Sequence, residues 1–406
     1  MKDRDILRAL AEKYFALSHE DIQNERRRLW RRHNSLKATR PLIYVRAFGW
    51  GEMPESKCEC EDPFFRRYEA NFRHKIFWHS LDDDSIFEPW VNVSAVYKCS
   101  GWGIDYVQER TEDAGGAYKE VHPIEDYEKD MKKLRMPFHE IDEQASAENL
   151  EKLHDAIGDI ITLNLDRSTA YRMWGGDIAT HIGHLRGIEP IMYDMMDQPE
   201  NLHKLLAFMR DGLLQVYEQA EAAGDLGYYA HENQAMPYAE ELKDPEANTR
   251  NAKLDELWYY AASQEYTLIS PEMHDEFLFR YQLPILEKFG LTAYGCCEDL
   301  TNKIDMLRQI PNLRRIAVSP FADPEKCAEQ IGGDYVLSYR PNPSTTVSCG
   351  FNPEQIKNDL TRVLRIFKAN GCQPDITLKD VESVENDPNR VREWVKISRE
   401  TIEELC

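Results

Sequence analysis

The chain is 406 residues long, carries a formal net charge of -22, and is 42 % hydrophobic. That is enough apolar material for a large core, the charge argues against nucleic acid and anionic membrane surfaces as partners, and no apolar run approaches the ~18 residues of a membrane span. The nine cysteines are odd in number with no Cys-x-x-Cys pair, and the charged first residues lack a secretory signal, so reduced thiols and a cytoplasmic location are expected.

Residues 2 to 39 read as helix, because Ile6, Leu7, Leu10, Tyr14, Phe15 and Leu17 recur at helical spacing and a basic helix follows Ser18 to Asp21. A first buried strand, Pro41 to Arg46, leaves its arginine on a glycine-marked exit loop, Arg46-Ala-Phe-Gly49-Trp-Gly51. Asp62 to Leu81 is helical, and Ile86 to Tyr97 is extended and carries Trp90. Cys99 to Met136 has weak periodicity and reads as a long excursion able to cover a pocket. A strand at Asp159 to Leu165 leads to a second glycine-marked loop holding Trp174, and a long helical stretch from Gly187 to Gly224 is interrupted near Pro199. Tyr228 to Glu232 reads as a short strand ending in His231 and Glu232.

The chain is organised around Gly290-Leu-Thr-Ala-Tyr-Gly-Cys-Cys-Glu298. A buried strand there runs without a turn into metal-binding groups, and strict alternation places Tyr294, Cys296 and Glu298 on one face. The plainer alternative is that Cys296 and Cys297 fill the core and Glu298 caps a helix beginning near Asp299. Further β runs at Arg314 to Ser319, Asp334 to Tyr339 and Asp375 to Lys379 are each followed by turn residues and a helix. Asp323-Pro324, Asn352-Pro353 and Asp387-Pro388 each set a capping side chain before a proline, and Ile356, Leu360, Val363, Leu364 and Phe367 form a stripe that must lie on a sheet. Strands counted at 41, 88, 159, 227, 292, 314, 335 and 375 imply a (β/α)8 TIM barrel, residues 41 to 406, behind an N-terminal helical extension, residues 1 to 40, with the site at the carboxyl ends of the strands. An open doubly wound sheet is disfavoured because no G-x-G-x-x-G turn is present.

Arg46-x-x-Gly49 with Pro54-Glu55, Arg186-Gly-Ile-Glu189 through Asp197-Gln-Pro-Glu200, Ser270-Pro-Glu272 with Phe277 and Pro284, and Arg340-Pro-Asn342-Pro343 occur in an order that resembles the uroporphyrinogen decarboxylase superfamily, which includes zinc-dependent, corrinoid-linked methyltransferases. The family decarboxylases carry a second arginine where this chain has Trp50, and their second signature is missing around Met173 to Thr180. The resemblance therefore implies the methyltransferase branch: an enzyme moving a methyl group between a small methylated molecule and a corrinoid carried by a partner protein, assisted by zinc. Those methyltransferases carry His-x-Cys on the fifth strand and a distant cysteine on the eighth, whereas this chain has Tyr294-x-Cys296 and Thr377-Leu-Lys-Asp380. Only Cys296 matches, so Glu298 and His231 are the expected companion ligands, with Cys297 and Cys349 as substitutes. Glu232, Tyr294 and Asp380 are the candidates for proton transfer, and Arg46, Trp90, Trp174, Arg340 and Asn342 for substrate binding. A decarboxylase or lyase acting on a small acid, or a ligand-binding barrel without catalysis, is the alternative.

Overall fold

A computed structural model describes residues 2–99, 101–110 and 118–405. Eight short strands form the centre: β1 (Leu42–Val45), β2 (Trp90–Ser94), β3 (Thr162–Asp166), β4 (Trp258–Ala261), β5 (Leu291–Tyr294), β6 (Leu313–Val318), β7 (Val336–Tyr339) and β8 (Gln373–Leu378). All pair in parallel, six of them in the order β1-β8-β7-β6-β5-β4, while β2 and β3 make a separate ladder. This neighbour order is barrel-like, but the hydrogen-bonded ladder stops between β1 and β2 and between β3 and β4.

Side chains and a loop take over the bonding at both breaks. Beside β1, Asp84 accepts from the Ile43 amide at 2.8 Å and Asp83 from the Val45 amide at 2.7 Å. Between β3 and β4, Asn248 donates to Asn164 and to the Leu163 carbonyl, while the Glu232 amide donates to the Trp258 carbonyl at 3.3 Å. The expected strand near 227 is thus corrected. Tyr228–Ala230 is a single 3-10 turn inside this filling loop, and the fourth strand is Trp258–Ala261, a four-residue aromatic run fully buried between two long irregular segments. Strand structure there follows from burial on both faces, which erases the alternation that a half-exposed strand would show.

The helices follow the sequence closely. Asp323 and Asn352 cap the helices Pro324–Ile331 and Pro353–Ala369, and the stripe Ile356, Leu360, Val363, Leu364, Phe367 is buried. The N-terminal segment is two helices, α1 (Lys2–Ser18) and α2 (Asp21–Asn34). Leu7, Ala11 and Tyr14 of α1 pack in a small core with Tyr68, Phe72, Val91, Val93 and Leu153, outside β2 and β3. The end of α2 seals the amino-terminal floor of the sheet, where His33 meets Asp375 at 3.1 Å and Asn34 accepts from Arg315 at 2.8 Å. Asp375 also takes Arg315 at 2.8 Å and the hydroxyls of Ser338 and Thr377, a fully buried ion pair with its lone pairs satisfied. The excursion after Cys99 contains an antiparallel hairpin, Val107–Arg110 with Tyr118–Val121, and its residues 100 and 111–117 lie outside those described. Among the described residues no helix is long and apolar enough to cross a membrane.

Candidate functional site

Alternation along β8 points Asp375, Thr377 and then Lys379 into the sheet interior, and along β7 it points Ser338 and then Arg340 the same way. The strand ends therefore carry cations inward. Lys379 Nζ contacts Cys296 Sγ and lies 3.0 Å from Cys297 Sγ; the two sulfurs are 3.5 Å apart, and Cys297 donates to Asp380 at 3.2 Å. The Cys297 thiol, the Arg340 charge and the Lys379 ammonium together pull Cys296 below the range of an ordinary thiol and favour its thiolate. Cys297 is pushed the other way, as the proton-holding partner.

The strict alternation expected after Leu291 fails at Gly295. Its φ of +100° is a conformation few side chains tolerate, and a Cβ there would meet Leu300 Cδ1 at 2.7 Å. The kink puts Cys296 with the interior residues Leu291, Ala293 and Tyr260. Tyr294 faces outward instead, its hydroxyl donating to Gln282 at 2.8 Å beneath the helices, so it is not placed to act at the strand ends. Glu298 is buried, and its two oxygens are occupied by the amides of Ser263 and Cys296, both at 2.8 Å. Burial and the nearby Cys296 charge raise its pKa.

His231 does not reach this point. Its Nδ1 accepts from the Trp258 amide at 3.2 Å, at the opposite end of β4, and its Nε2 faces the Lys243 carbonyl at 3.0 Å. With one nitrogen accepting and the other donating, no lone pair remains for a metal. Among the described residues no three His, Cys, Asp or Glu side chains are arranged to hold a metal ion, and the ammonium of Lys379 stands on the sulfur that was the expected first ligand. Cys296, Glu298 and His231 therefore do not fit zinc. The counter-charge in contact with the Cys296 sulfur is the Lys379 ammonium.

The remaining candidates separate. Glu232 is buried beside Arg172 in the break between β3 and β4, accepts from the Met173 amide at 2.6 Å, and is raised by burial to about 7. Trp90 lines a cleft of about 290 Å³ with Tyr44, Lys75 and Trp78 at the break between β1 and β2. Exposed Asn342 turns its carbonyl oxygen to the Ser344 amide at 2.9 Å and so caps its own loop. Cys349 is exposed. Arg46 and Trp174 do line the mouth: the guanidinium lies 6.0 Å from the Trp174 ring, which stands edge-on to Tyr260 at 5.3 Å. Asp380 lies on the rim at φ +56°. Lys379, Tyr260, Gln234 and Glu265 were missed from the sequence. Lys379 was legible in Thr377-Leu-Lys-Asp380, because a lysine leaving a strand beside cysteines is a thiolate partner as readily as a metal is. Glu265, on the loop after β4, is raised by burial to about 7 and is affected by the charges of Glu298 and Cys296.

The parallel, barrel-like arrangement with its polar groups at the carboxyl ends of the strands defines the class of fold. A methyltransferase from Methanosarcina mazei has a similar structure, with a TM-score of 0.51 over 92 % of this chain and 97 % of that one, at 12 % sequence identity. No protein-family model matches the sequence, and no curated protein matches it.

Proposed function

We propose that this chain is an enzyme of the methyltransferase kind, built as one (β/α)8 barrel over residues 41–406 with residues 1–40 as a helical extension, and acting on a small molecule at the strand ends. The observation that carries the reading is the Cys296 sulfur held by Lys379, with Cys297 and Arg340 beside it, on a fold similar to that of a methyltransferase. Methyl transfer is a displacement in which the bond from the methyl carbon to a heteroatom breaks as a new one forms, so charge must be drawn from the leaving atom. The Lys379 ammonium and the Cys297 thiol lie against Cys296 and can donate to it, and Glu265, raised by burial to about 7, is a further proton source. Trp174 and Tyr260 pack in the same interior cluster as Cys296 and exclude water beside it.

A corrinoid carried by a partner protein is our choice for the other methyl carrier, supplying a cobalt nucleophile when bound. Leu268 after β4 and Phe321 after β6 are 83 % and 74 % exposed at this end of the sheet and suit a protein contact. In this proposal orientation and proton supply come from the chain's own residues, and zinc has no part in it.

The test is methylation of cob(I)alamin, followed by absorbance, with a panel of labelled methyl ethers, methylamines and methyl thioethers. We expect one class to turn over, and Cys296→Ser and Lys379→Met each to lower the rate by about 100-fold or more. Unpaired Arg46 and Arg340 favour a second reading, decarboxylation or lysis of a small acid. Turnover of an acid without any cobamide, and no methyl transfer from any donor, would replace the first reading with the second.

A further inference from the structure

Fifteen buried side-chain polar atoms among the described residues have no hydrogen-bond partner, and five of them belong to three residues of the mouth, Arg340 Nε and Nη1, Gln234 Nε2 and Oε1, and Tyr260 Oη, with Glu265 Oε2 a sixth near Cys296. Buried polar groups are nearly always satisfied, so such a concentration on one wall marks where something else bonds. The three residues are 3 %, 6 % and 1 % exposed. They also belong to one continuous lining. Gln234 touches Arg46 through its carbonyl at 3.5 Å, Arg46 lies over Trp174, Trp174 stands against Tyr260, and the Arg340 charge acts on both Tyr260 and Cys296.

The charges on this lining do not balance. Lys379 is answered by Cys296 and Asp380, whereas Arg340 and Arg46 form no ion pair with a carboxylate among the described residues. Two uncompensated guanidiniums in a chain of net charge -22 are a selective seat for negative charge, because the surrounding acidic surface offers them no partner at the mouth. Gln234 adds a donor and an acceptor from one amide, and Tyr260 adds a hydroxyl.

We infer that the substrate of this site is a small carboxylate, its anionic group held by Arg340 with Tyr260, and a second polar group met by Gln234 next to Arg46. A planar guanidinium favours a planar carboxylate, and the thiolate at Cys296 with Asp380 disfavours a more highly charged oxyanion such as phosphate. The inference rests on the mouth being the substrate site and is independent of which reaction occurs there.

Binding is read on the full chain by tryptophan fluorescence, Trp174 being part of the lining, and by the shift of the melting temperature. The probes are acetate and benzoate, the neutral isosteres acetamide and benzamide, and inorganic phosphate. We expect at least one acid to bind saturably and to be displaced by the other, the amides to fail, and Arg340→Gln to weaken the acid by about 30-fold or more. Arg340→Lys should keep part of the affinity, and Tyr260→Phe, which removes only an unpartnered hydroxyl, should weaken it several-fold without lowering the melting temperature. Equal binding of acid and amide, acid binding unchanged in both Arg340→Gln and Tyr260→Phe, no binding of either acid, or binding of phosphate alone overturns the inference. Acid binding without any methyl transfer leaves this seat in place and removes the methyltransferase reading; methyl transfer from an uncharged donor, with no acid bound, does the reverse.

Discussion

Replacing Glu232 by glutamine removes one ionisation and almost nothing else. The carboxylate is 8 % exposed and accepts the Met173 amide at 2.6 Å, a bond the amide oxygen of glutamine retains. Burial raises this carboxyl from an ordinary 4.5 to about 7, against the pull of Arg172. Because the folded value lies above the unfolded one, the proton stabilises the folded state. That contribution is fully present below pH 4.5, falls as the unfolded chain ionises first, and is lost by the time pH passes 7. At about 1.4 kcal/mol per pH unit the difference amounts to about 3 kcal/mol. Urea unfolding of both proteins from pH 4 to pH 8.5 measures it. The native chain should lose stability across that window, and Glu232→Gln should be flatter, close to it at the acid end and more stable at the alkaline end. Glu265 is raised to about 7 for the same reason, and burial also raises Asp83, Glu88, Asp177 and Glu298, so Glu232→Gln should remove part of the wild-type slope and leave the rest. Parallel curves for wild type and variant would show that Glu232 is hydrated or paired, and the argument from burial would fail.

Cys296, although buried, should lose its thiol proton at lower pH than an ordinary cysteine, so the pH at which its ultraviolet thiolate absorbance appears should rise in Lys379→Met; an unchanged midpoint in the two proteins would dissolve the Lys379–Cys296 pair. Asp375→Asn should cost about 3–5 kcal/mol in urea unfolding, because it strands the buried Arg315 charge; a loss below about 1 kcal/mol would mean that water reaches the floor.

What could be read from the sequence was what local chemistry dictates. Asn352-Pro353 begins a helix whatever surrounds it, since the cap and the proline act within three residues. The stripe from Ile356 to Phe367 was equally local. Trp258–Ala261 was not legible, because a strand buried on both sides carries no alternation, and its neighbours are long irregular segments. That omission displaced the site: with the fourth strand assigned to residues near 227, His231 appeared to point at the mouth, although it bonds the amino end of the true strand. Gly295 shows a second limit. Counting every other residue assumes an unbroken strand, and one positive φ exchanges the faces. The stretch holding Cys296 and Cys297 was legible as a strand running into polar groups; that Lys379 would stand on its sulfurs depended on β8 lying across the interior from β5, which no local pattern reveals.

The sealed floor links residues that lie far apart in the order of synthesis. His33 and Asp375 are 342 positions apart, and Arg315 bridges Asn34 to the same carboxylate. A ribosome that has released α2 soon supplies Tyr44 and the Asp84 carbonyl for Trp30, but must add most of the chain before His33 and Asn34 meet Asp375 and Arg315. Closing so long a loop is slow, and this basic helix waits through it with its last residues unpartnered, open to the wrong contacts of a partly folded chain. Expression yield should respond to His33 more strongly than the measured equilibrium stability does.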